Sequence, residues 1–328
     1  MQQDPRGVAA LSDSGHQPWW LLWMPGVFVL IWSTGFVVAR FGMPHAPPMT
    51  FLTWRFALSV AAFLLWIRWS GARWPQGRDQ WLHLAVVGVL LHGGYLGGVW
   101  AAVKGGMSAG TAALIVGLQP LLTALWLSGV GHAQRASPRQ WAGLALGLAG
   151  LVLVVWRKLG LGEASLATVG LAVLALLSIT AGTLWQKRHV RPCDVRTANT
   201  VQLMAAFWLC LPFALLESES FHWNAQSSAA MAWSVLALTL GGSSLLVMLI
   251  QRGAATQVTS LMYLVPPCTA FLAWILFGEA LTPVVLAGMA LTAVGVWLVV
   301  RDTSPVRPVS QRSPAPAPAP MPARRPSK

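Results

Sequence analysis

One arginine lies in the middle of an otherwise apolar stretch of this sequence. Arg55 stands within MTFLTWRFALSV, residues 49–60, where the other side chains are apolar or only weakly polar. A guanidinium group stays protonated in proteins, so this charge cannot be lost. Arg55 comes seven residues after Pro48, which is about 10 Å along a helix. Two interpretations stay open: the side chain faces a substrate, or it extends to the nearer interface or pairs with a neighbouring helix.

A histidine and a tyrosine lie in another apolar stretch at helical spacing. His92 is at the middle of residues 81–103, and Tyr95 follows it by three positions, which puts both on one face of a helix. Imidazole and phenol can each hydrogen-bond to a substrate or stack on it. A hydrogen bond from His92 to another helix is an equal alternative, so both residues are candidates for a cavity.

Two prolines interrupt apolar stretches, and each has a polar side chain close to it. Gln119 directly precedes Pro120, and Tyr263 lies three residues before Pro266. A proline inside a helix frees a carbonyl one turn earlier and bends the helix, which is tolerated beside a cavity or another helix. The sequence therefore predicts Pro120 and Pro266 as hinges, with Gln119 and Tyr263 lining a cavity.

Three further residues are weaker candidates for substrate contact. Trp32 and Ser33 lie past the midpoint of the first apolar stretch, and Trp185 lies near the end of the sixth. Tryptophan in such a stretch more often anchors a helix at the lipid headgroups or packs against a neighbouring helix.

Several kinds of chemistry have no support in the sequence. No Asp or Glu lies in the middle of an apolar stretch, and Glu217 and Glu279 lie at the ends of theirs. The chain has no Walker A motif, no HExxH motif, no pair of Asp-rich loops and no CxxC spacing among its three cysteines. We therefore expect no metal site, no cofactor and no catalytic activity.

The composition indicates that lipid surrounds most of the chain. Of 328 residues, 55% are hydrophobic and 9% are charged, against about 25% charged in a typical soluble domain. The net charge of +13 is scattered between apolar stretches, which argues against nucleic acid as a partner. The polar segment 1–19 is expected to be a cytoplasmic tail without the features of a signal peptide, and the basic, Pro/Ala-rich segment 301–328 a disordered one.

Ten apolar stretches are long enough, at roughly 20 residues, to cross a bilayer as helices. They are residues 20–39, 50–68, 81–103, 107–128, 138–156, 165–186, 197–216, 230–251, 256–277 and 282–300. With the N-terminus in the cytoplasm, 17 of the 22 Lys and Arg residues fall in inside loops and tails, four fall outside, and the last is Arg55. This bias predicts an inner-membrane, multi-pass protein with both termini cytoplasmic.

The two halves of the sequence resemble each other. AGTAALIVGLQPLLTALW at 109–126 aligns loosely with AATQVTSLMYLVPPCTAFLAW at 254–274, and a similar shift places Gln202 opposite Arg55. Each half holds five spans, an odd number, so the second half inserts upside down. Inverted repeats with a site near the bilayer midplane recur in secondary transporters. The predicted fold is an all-α membrane protein of ten transmembrane helices in two inverted five-helix repeats, 20–156 and 157–300, with Gln202 added to the cavity candidates.

Three segments carry a resemblance to a known family. They are LIWSTGFVVAR followed by PPMTFLTWRFALS, the Ala-rich start and Pro120 of the fourth span, and LMYLVPPCTAFLAWILFGEALTPVVLAGMALTAVGVWLV in the second half. In these segments the sequence resembles the EamA family of the drug/metabolite transporter superfamily, two copies of which would cover about residues 20–300. The first half departs from the pattern, because Gly131 and His132 stand where Gly278 and Glu279 stand in the second. The resemblance implies movement of small metabolites such as amino acids, often outward, through a central cavity between the halves.

These observations together predict a secondary transporter that exports small metabolites across the inner membrane by alternating access. Its expected partners are a small-molecule substrate and the lipid bilayer, and we expect a monomer or a weak dimer. Uptake or exchange of a metabolite is the alternative within transport. A non-transporting membrane enzyme or assembly factor is the alternative from another class, but no intramembrane carboxylate or Ser/His pair at helical spacing supports the enzyme.

Overall fold

The computed structural model describes residues 20–130, 137–242, 245 and 264–302, and every regular element in these residues is helical. A helix satisfies its own backbone hydrogen bonds, which an apolar chain inside lipid requires because no water is available there. The helices are α1 (Trp20–Gly42), α2 (Pro48–Ser70), α3 (Arg78–Gly88), α4 (Tyr95–Lys104), α5 (Ala109–Val116), α6 (Gln119–Val130), α7 (Pro138–Gly160), α8 (Leu166–His189), α9 (Val195–Leu216), α10 (Ala225–Trp233), α11 (Val265–Phe277) and α12 (Pro283–Asp302).

Caps encoded in the sequence set several of these helix ends. Ser108, Asp194 and Asn224 each accept a backbone N–H from the first turn of the helix that follows. Gly71 and Gly278 end α2 and α11 in the left-handed conformation, which glycine adopts without a steric penalty.

Six helical runs in the described part of the chain are long and apolar enough to cross a bilayer. They are Trp23–Gly42, Pro48–Ser70, Arg78–Lys104, Pro138–Gly160, Leu166–His189 and Val195–Leu216, with shorter apolar helices at Ala109–Thr123, Val265–Phe277 and Pro283–Leu298. Large apolar side chains such as Trp69, Trp156 and Leu216 are exposed on the surface of these runs, as contact with lipid requires. The all-helical membrane protein expected from the composition agrees with this architecture.

The fourth predicted span differs from the expectation of one helix over residues 107–128. The helix ends at Val116, turns at Gly117 and Leu118, and begins again at Gln119. Pro120 is therefore the second residue of a new helix, where its missing N–H costs no hydrogen bond.

Two segments are wound more loosely than an α-helix. Val89–Gly94 joins α3 to α4, and Ser234–Gly242 continues α10, both as π-helix. Each segment ends in a pair of glycines. A π-turn carries an extra residue and therefore redirects the side chains that follow it, and such turns are frequent at functional sites.

The bundle is held by helix pairs that join the first part of the chain to the second. α7 packs along α12, α2 along α9, α5 along α11, the run α3–α4 along α8, and α1 along α10. The α7–α12 contact brings backbones together: a Cβ on Gly150 would lie 2.5 Å from the carbonyl oxygen of Gly288, and one on Gly295 would lie 2.4 Å from that of Gly143. No side chain larger than hydrogen fits at these crossings.

Polar contacts tie the loops together at one end of the bundle. Lys104, at the end of α4, forms an ion pair with Glu219 in the loop after α9, and its Nζ also donates to the carbonyl of Met43 at 3.1 Å. In the neighbouring loops, Asn224 lies 3.0 Å from the ring nitrogen of His45.

Carboxylates at this same end cap helices of the other half of the chain. Glu217 accepts the backbone N–H groups of Met49 at 2.9 Å and Thr50 at 2.8 Å in the first turn of α2. Glu279 accepts the N–H of Ala109 at 3.2 Å in the first turn of α5. Both acidic residues therefore neutralise the positive ends of helix dipoles.

At the opposite end of the bundle, Asp194 caps α9. Its carboxylate accepts the backbone N–H of Arg196 at 2.9 Å and two guanidinium N–H groups at 3.0 and 2.6 Å. These hydrogen bonds to the ionised form hold the pKa of Asp194 below its usual value.

Candidate functional site

Arg55 lies within the bundle, one third of the way along α2. Its side chain is only 6% exposed, and its Nη2 donates to the Thr239 hydroxyl at 3.2 Å. Among the described residues, its Nε has no hydrogen-bond acceptor. The side chain therefore neither reaches an interface nor uses all its donors, and one direction of the guanidinium is left unmatched.

The structure brings three other sequence candidates, His92, Tyr95 and Gln202, together near this guanidinium. His92 lies within hydrogen-bonding range of the Gln202 side chain and within electrostatic range of Arg55. Tyr95 lies within electrostatic range of Arg55 from α4. The cluster thus joins α2, the first π segment and α4 to α9 and the second π segment. We call Arg55, His92, Tyr95, Gln202 and Thr239 the arginine cluster.

Close backbone packing and the two π segments position the cluster. A Cβ on Gly88 would lie 2.1 Å from the backbone oxygen of Gln202, so α3 and α9 touch at this glycine. His92 lies on the first π segment, and Thr239 lies on the second. The ring of Phe56, the neighbour of Arg55 on α2, meets the His92 ring edge-on at a centroid distance of 6.2 Å.

Three buried hydroxyl groups on the elements that form the cluster were not predicted from the sequence as site residues. Thr239 bonds Arg55 and also donates to the carbonyl of Ser234 at 2.8 Å. Ser59, one turn after Arg55 on α2, and Ser234 are fully buried, and neither hydroxyl has a partner within the described residues. The spacing of Ser59 from Arg55, and the glycine pair just after Thr239, are the signals that could have found two of them.

No carboxylate of the described chain is buried beside Arg55. Seven acidic residues lie in loops or at helix ends: Asp79, Glu163, Asp194, Glu217, Glu219, Glu279 and Asp302. The ion pairs that form among the described residues are Lys104–Glu219, Lys158–Glu163 and Arg196–Asp194. Arg55 therefore interacts with neutral groups, as far as the described residues extend.

Other sequence candidates make contacts between helices outside the arginine cluster. Ser33 is fully buried and donates to the carbonyl of Val265 at 3.4 Å, while its own carbonyl accepts the Thr269 hydroxyl at 3.2 Å. Gln119 donates to the Thr183 hydroxyl at 3.1 Å, which links α6 to α8.

Two tryptophan candidates lie in different surroundings. Trp32 packs against Phe28 with ring centroids 5.4 Å apart and lies near Gly242, at the end of the second π segment. Trp185 belongs to a separate aromatic group near one end of the bundle, stacked on His189 at 4.2 Å with His83 at 5.9 Å.

Both predicted hinge prolines lie in the first turn of a helix. Pro120 is the second residue of α6, and Pro266 is the second residue of α11. In this conformation each proline marks the start of a helix. Tyr263 lies outside the described residues.

A small open pocket lies away from the arginine cluster, near the ends of α5, α7, α11 and α12. Lys158, Glu279, Ser108 and Thr111 contribute its polar groups. Lys158 pairs with Glu163, and Glu279 accepts a backbone N–H at the start of α5. Each of the two charged groups in this pocket therefore has a partner within the protein. None of the sequence-predicted site residues lines this pocket.

Relatives of the chain are named as exporters or transporters. A protein of Salmonella typhimurium named "Probable amino-acid metabolite efflux pump" is 24% identical, over 82% of this chain and 91% of its own length. A "Probable terminal-alkyne amino-acid exporter" of Streptantibioticus cattleyicolor is 26% identical, over 86% and 94%. The "Uncharacterized inner membrane transporter YedA" of Escherichia coli strain K12 is 25% identical, over 85% and 91%.

The fold and the family are matched over most of the chain. A solved crystal structure of another protein is similar with a TM-score of 0.60 at 20% sequence identity, covering 84% of this chain and 95% of that one. The model of the EamA-like transporter family matches the chain twice, over residues 18–156 and 166–301. Two matches of this extent, which together span most of the sequence, show that the chain belongs to the EamA-like transporter family.

Proposed function

We propose that this protein exports small metabolites, such as amino acids or related compounds, across the inner membrane by alternating access. The observation that carries the proposal is the arginine cluster. It is buried, it is built from both halves of the chain, and it retains hydrogen-bonding groups that have no partner among the described residues. A transporter needs such a site at the contact between two parts that move relative to each other.

The proposed architecture is ten transmembrane helices in two inverted repeats, 20–156 and 157–300. The two family matches support it, as does the pattern of helix pairs. An axis that exchanges the repeats would map the Gly150–Gly288 crossing onto the Gly295–Gly143 crossing. The same axis would exchange the two π segments, which lie in the third and eighth predicted spans.

The proposed orientation has both termini in the cytoplasm, as the distribution of Lys and Arg favours. The loop contacts of Lys104, Glu217, Glu219 and Glu279 then lie on the outer side. The exporter names of the Salmonella and Streptantibioticus relatives support outward movement. Uptake or exchange is the alternative, and we propose no catalysis and a monomer or weak dimer.

Reconstitution into liposomes tests the transport function directly. Proteoliposomes loaded with labelled amino acids should lose them faster than liposomes that carry the same load without the protein. Cells that overproduce the protein should resist toxic amino-acid analogues. Failure of every solute in a broad panel to move, with the protein folded and inserted, would contradict the proposal.

A reducible cross-link tests alternating access and orientation together. In a background with Cys193, Cys210 and Cys268 replaced by serine, Lys104→Cys with Glu219→Cys joins the two halves at the proposed outer side. A membrane-impermeant bifunctional thiol reagent added outside should stop transport, and a reductant should restore it.

The second ion pair of the same side provides the matched control. Lys158→Cys with Glu163→Cys joins residues five positions apart, so a cross-link there should leave transport unchanged. Equal transport with and without the link at positions 104 and 219 would overturn the proposed movement between the halves.

A further inference from the structure

We propose that the arginine cluster binds the carboxylate of an organic substrate and selects for solutes that carry a carboxylate over those that lack one. This inference rests on the transport function proposed above and names the substrate class of the same site.

The charge of Arg55 has no counterion among the described residues. The side chain is 6% exposed and bonds the neutral hydroxyl of Thr239, and none of the ion pairs in the described residues includes it. Asp4 and Asp13 apart, every acidic residue of the sequence is accounted for at helix ends and loops. A buried ion without a counterion is costly, so a ligand that supplies a negative charge is strongly favoured at this position.

The polar groups of the cluster that have no partner in the described residues can all donate hydrogen bonds. The unmatched group on Arg55 is an Nε–H donor, and the hydroxyls of Ser59 and Ser234 can also donate. A charged guanidinium N–H donates its strongest hydrogen bonds to anionic acceptors such as a carboxylate oxygen. The chemistry of the site therefore fits an acceptor group with one negative charge.

The cluster contains no acidic side chain that could pair with the ammonium group of an amino acid. His92, Tyr95 and Gln202 offer neutral hydrogen-bonding groups instead. The carboxylate should therefore account for most of the binding. An N-acetyl amino acid, which keeps the carboxylate and lacks the ammonium charge, should bind at least as tightly as the free amino acid.

Binding to the purified full-length protein tests the inference without requiring transport. The probes are leucine, methionine and phenylalanine, each with its N-acetyl form, its amide and the amine that lacks the carboxyl group. The buffer contains methanesulfonate in place of chloride. Acids and N-acetyl acids should raise the thermal unfolding midpoint in a saturable way, and the amides and amines should not. Equal stabilisation by amides or amines would overturn the inference.

Two substitutions on one helix make the test specific for Arg55. Arg55→Gln should weaken binding of the acids about 10- to 100-fold, and Arg55→Lys should weaken it less, because a charge remains without the guanidinium fork. Arg68→Gln removes an exposed charge from the far end of α2 and should leave binding unchanged.

The stability of the ligand-free protein separates a binding role from a structural one. Because Arg55→Gln removes an unpaired buried charge, the ligand-free variant should unfold at the wild-type temperature or above it. A midpoint lowered by several degrees, with acids still bound at wild-type affinity, would show that Arg55 holds helices together and would overturn the inference. An Arg55-dependent stabilisation by chloride alone, with no added effect of carboxylates, would overturn it as well and indicate an inorganic anion site.

The outcomes distinguish this inference from the proposed function. Flux of amides and amines equal to that of acids would overturn the anion site and leave transport standing. Arg55-dependent binding of acids without flux of any solute would support the anion site and contradict the transport function.

Discussion

The two halves of the chain meet in two different ways, at the α7–α12 pair and at the arginine cluster. Between α7 and α12, glycine backbones touch, and the buried hydroxyl of Thr292 lies 3.4 Å from the carbonyl oxygen of Gly147 on α7 and 2.9 Å from that of Gly288 on its own helix. At the arginine cluster, backbones also touch, at Gly88 and Gln202, but polar side chains make the rest of the contact. Here Arg55, Ser59 and Ser234 keep groups without partners in the described residues. The polar groups of the first contact are hydrogen-bonded, whereas the second keeps buried polar groups without partners in the described residues.

We infer from this difference that one contact between the halves stays fixed during transport while the other rearranges. Close-packed backbones have few alternative arrangements, because a shift of one helix along the other creates clashes or voids. A contact made by side chains around π segments can rearrange at lower cost. We therefore expect α7 and α12 to keep the halves joined while the cluster opens and closes.

The largest expected effect comes from filling the glycine crossing. In Gly150→Val the new Cβ would lie 2.5 Å from the Gly288 oxygen and 2.7 Å from the Thr292 hydroxyl. Such overpacking against backbone should destabilise the protein by about 3 kcal/mol. Fluorescence-detected size-exclusion chromatography should show a large loss of folded protein. Gly160→Val, at the end of the same helix with open space around it, is the control, and equal yields of both variants would refute rigid packing at Gly150.

An intermediate effect is expected from removing the partner of Arg55. Thr239→Val keeps the shape of the side chain and leaves the guanidinium with one more unmatched donor, which should cost about 1–2 kcal/mol. In an Arg55→Gln background, the same substitution should cost much less. Unfolding midpoints of the four proteins give the coupling energy, and purely additive effects would indicate that the 3.2 Å contact contributes nothing.

Removing a hydroxyl should have a smaller effect on stability, of opposite sign at the arginine cluster and at the α7–α12 pair. Ser59→Ala and Ser234→Ala remove buried groups without partners and should leave stability unchanged or raise it by up to about 1 kcal/mol. Thr292→Val removes a hydroxyl that is bonded to Gly288 of its own helix and lies against Gly147 of α7, and it should lower stability by about 1 kcal/mol. Thermal unfolding in detergent measures all three, and a loss in the serine variants as large as that of Thr292→Val would contradict the contrast.

The smallest effect, at a helix cap outside both regions, provides a baseline. Asp194→Ala removes the cap of α9 and should lower stability at pH 7 by about 1 kcal/mol or less. Because the folded pKa of Asp194 is depressed, its contribution is present above the unfolded pKa of about 3.9 and is lost as the pH falls through the lower folded value. The difference from wild type should therefore shrink below pH 4, and a difference that persists there would exclude the ionised cap as its source.

The core of the arginine cluster could be predicted from the sequence because polar groups in an apolar span are costly and therefore conspicuous. Arg55, His92 and Tyr95 stand out for this reason, and Gln202 was found through the repeat. Thr239 could not be found in this way, since threonine is common in apolar helices and its hydroxyl usually bonds its own backbone. Only the path of the second π segment brings it to Arg55.

The remaining differences also have local causes. A helix rotates each successive residue by about 100°, so the side that Trp185 faces depends on its register, which apolar periodicity does not fix in a helix surrounded by lipid. An extra residue in a π segment changes that register again. The sequence predicts an interruption at Pro120 but not its exact place: the break falls at Gly117 and Leu118, and Pro120 lies in the first turn of the next helix. The cytoplasmic termini and the inverted repeats stay predictions from the sequence.

The placement of the acidic residues at helix ends has an electrical consequence. Arg55 and the helix caps remain with the protein, so under the proposed carboxylate selectivity the net charge moved in a cycle is that of the solute. An N-acylated acid carries one negative charge outward, and the potential, negative inside, contributes about 2.3 kcal/mol per 100 mV to that movement. A zwitterionic amino acid gains nothing from the potential. Export of the anion would then generate a current that follows the membrane voltage.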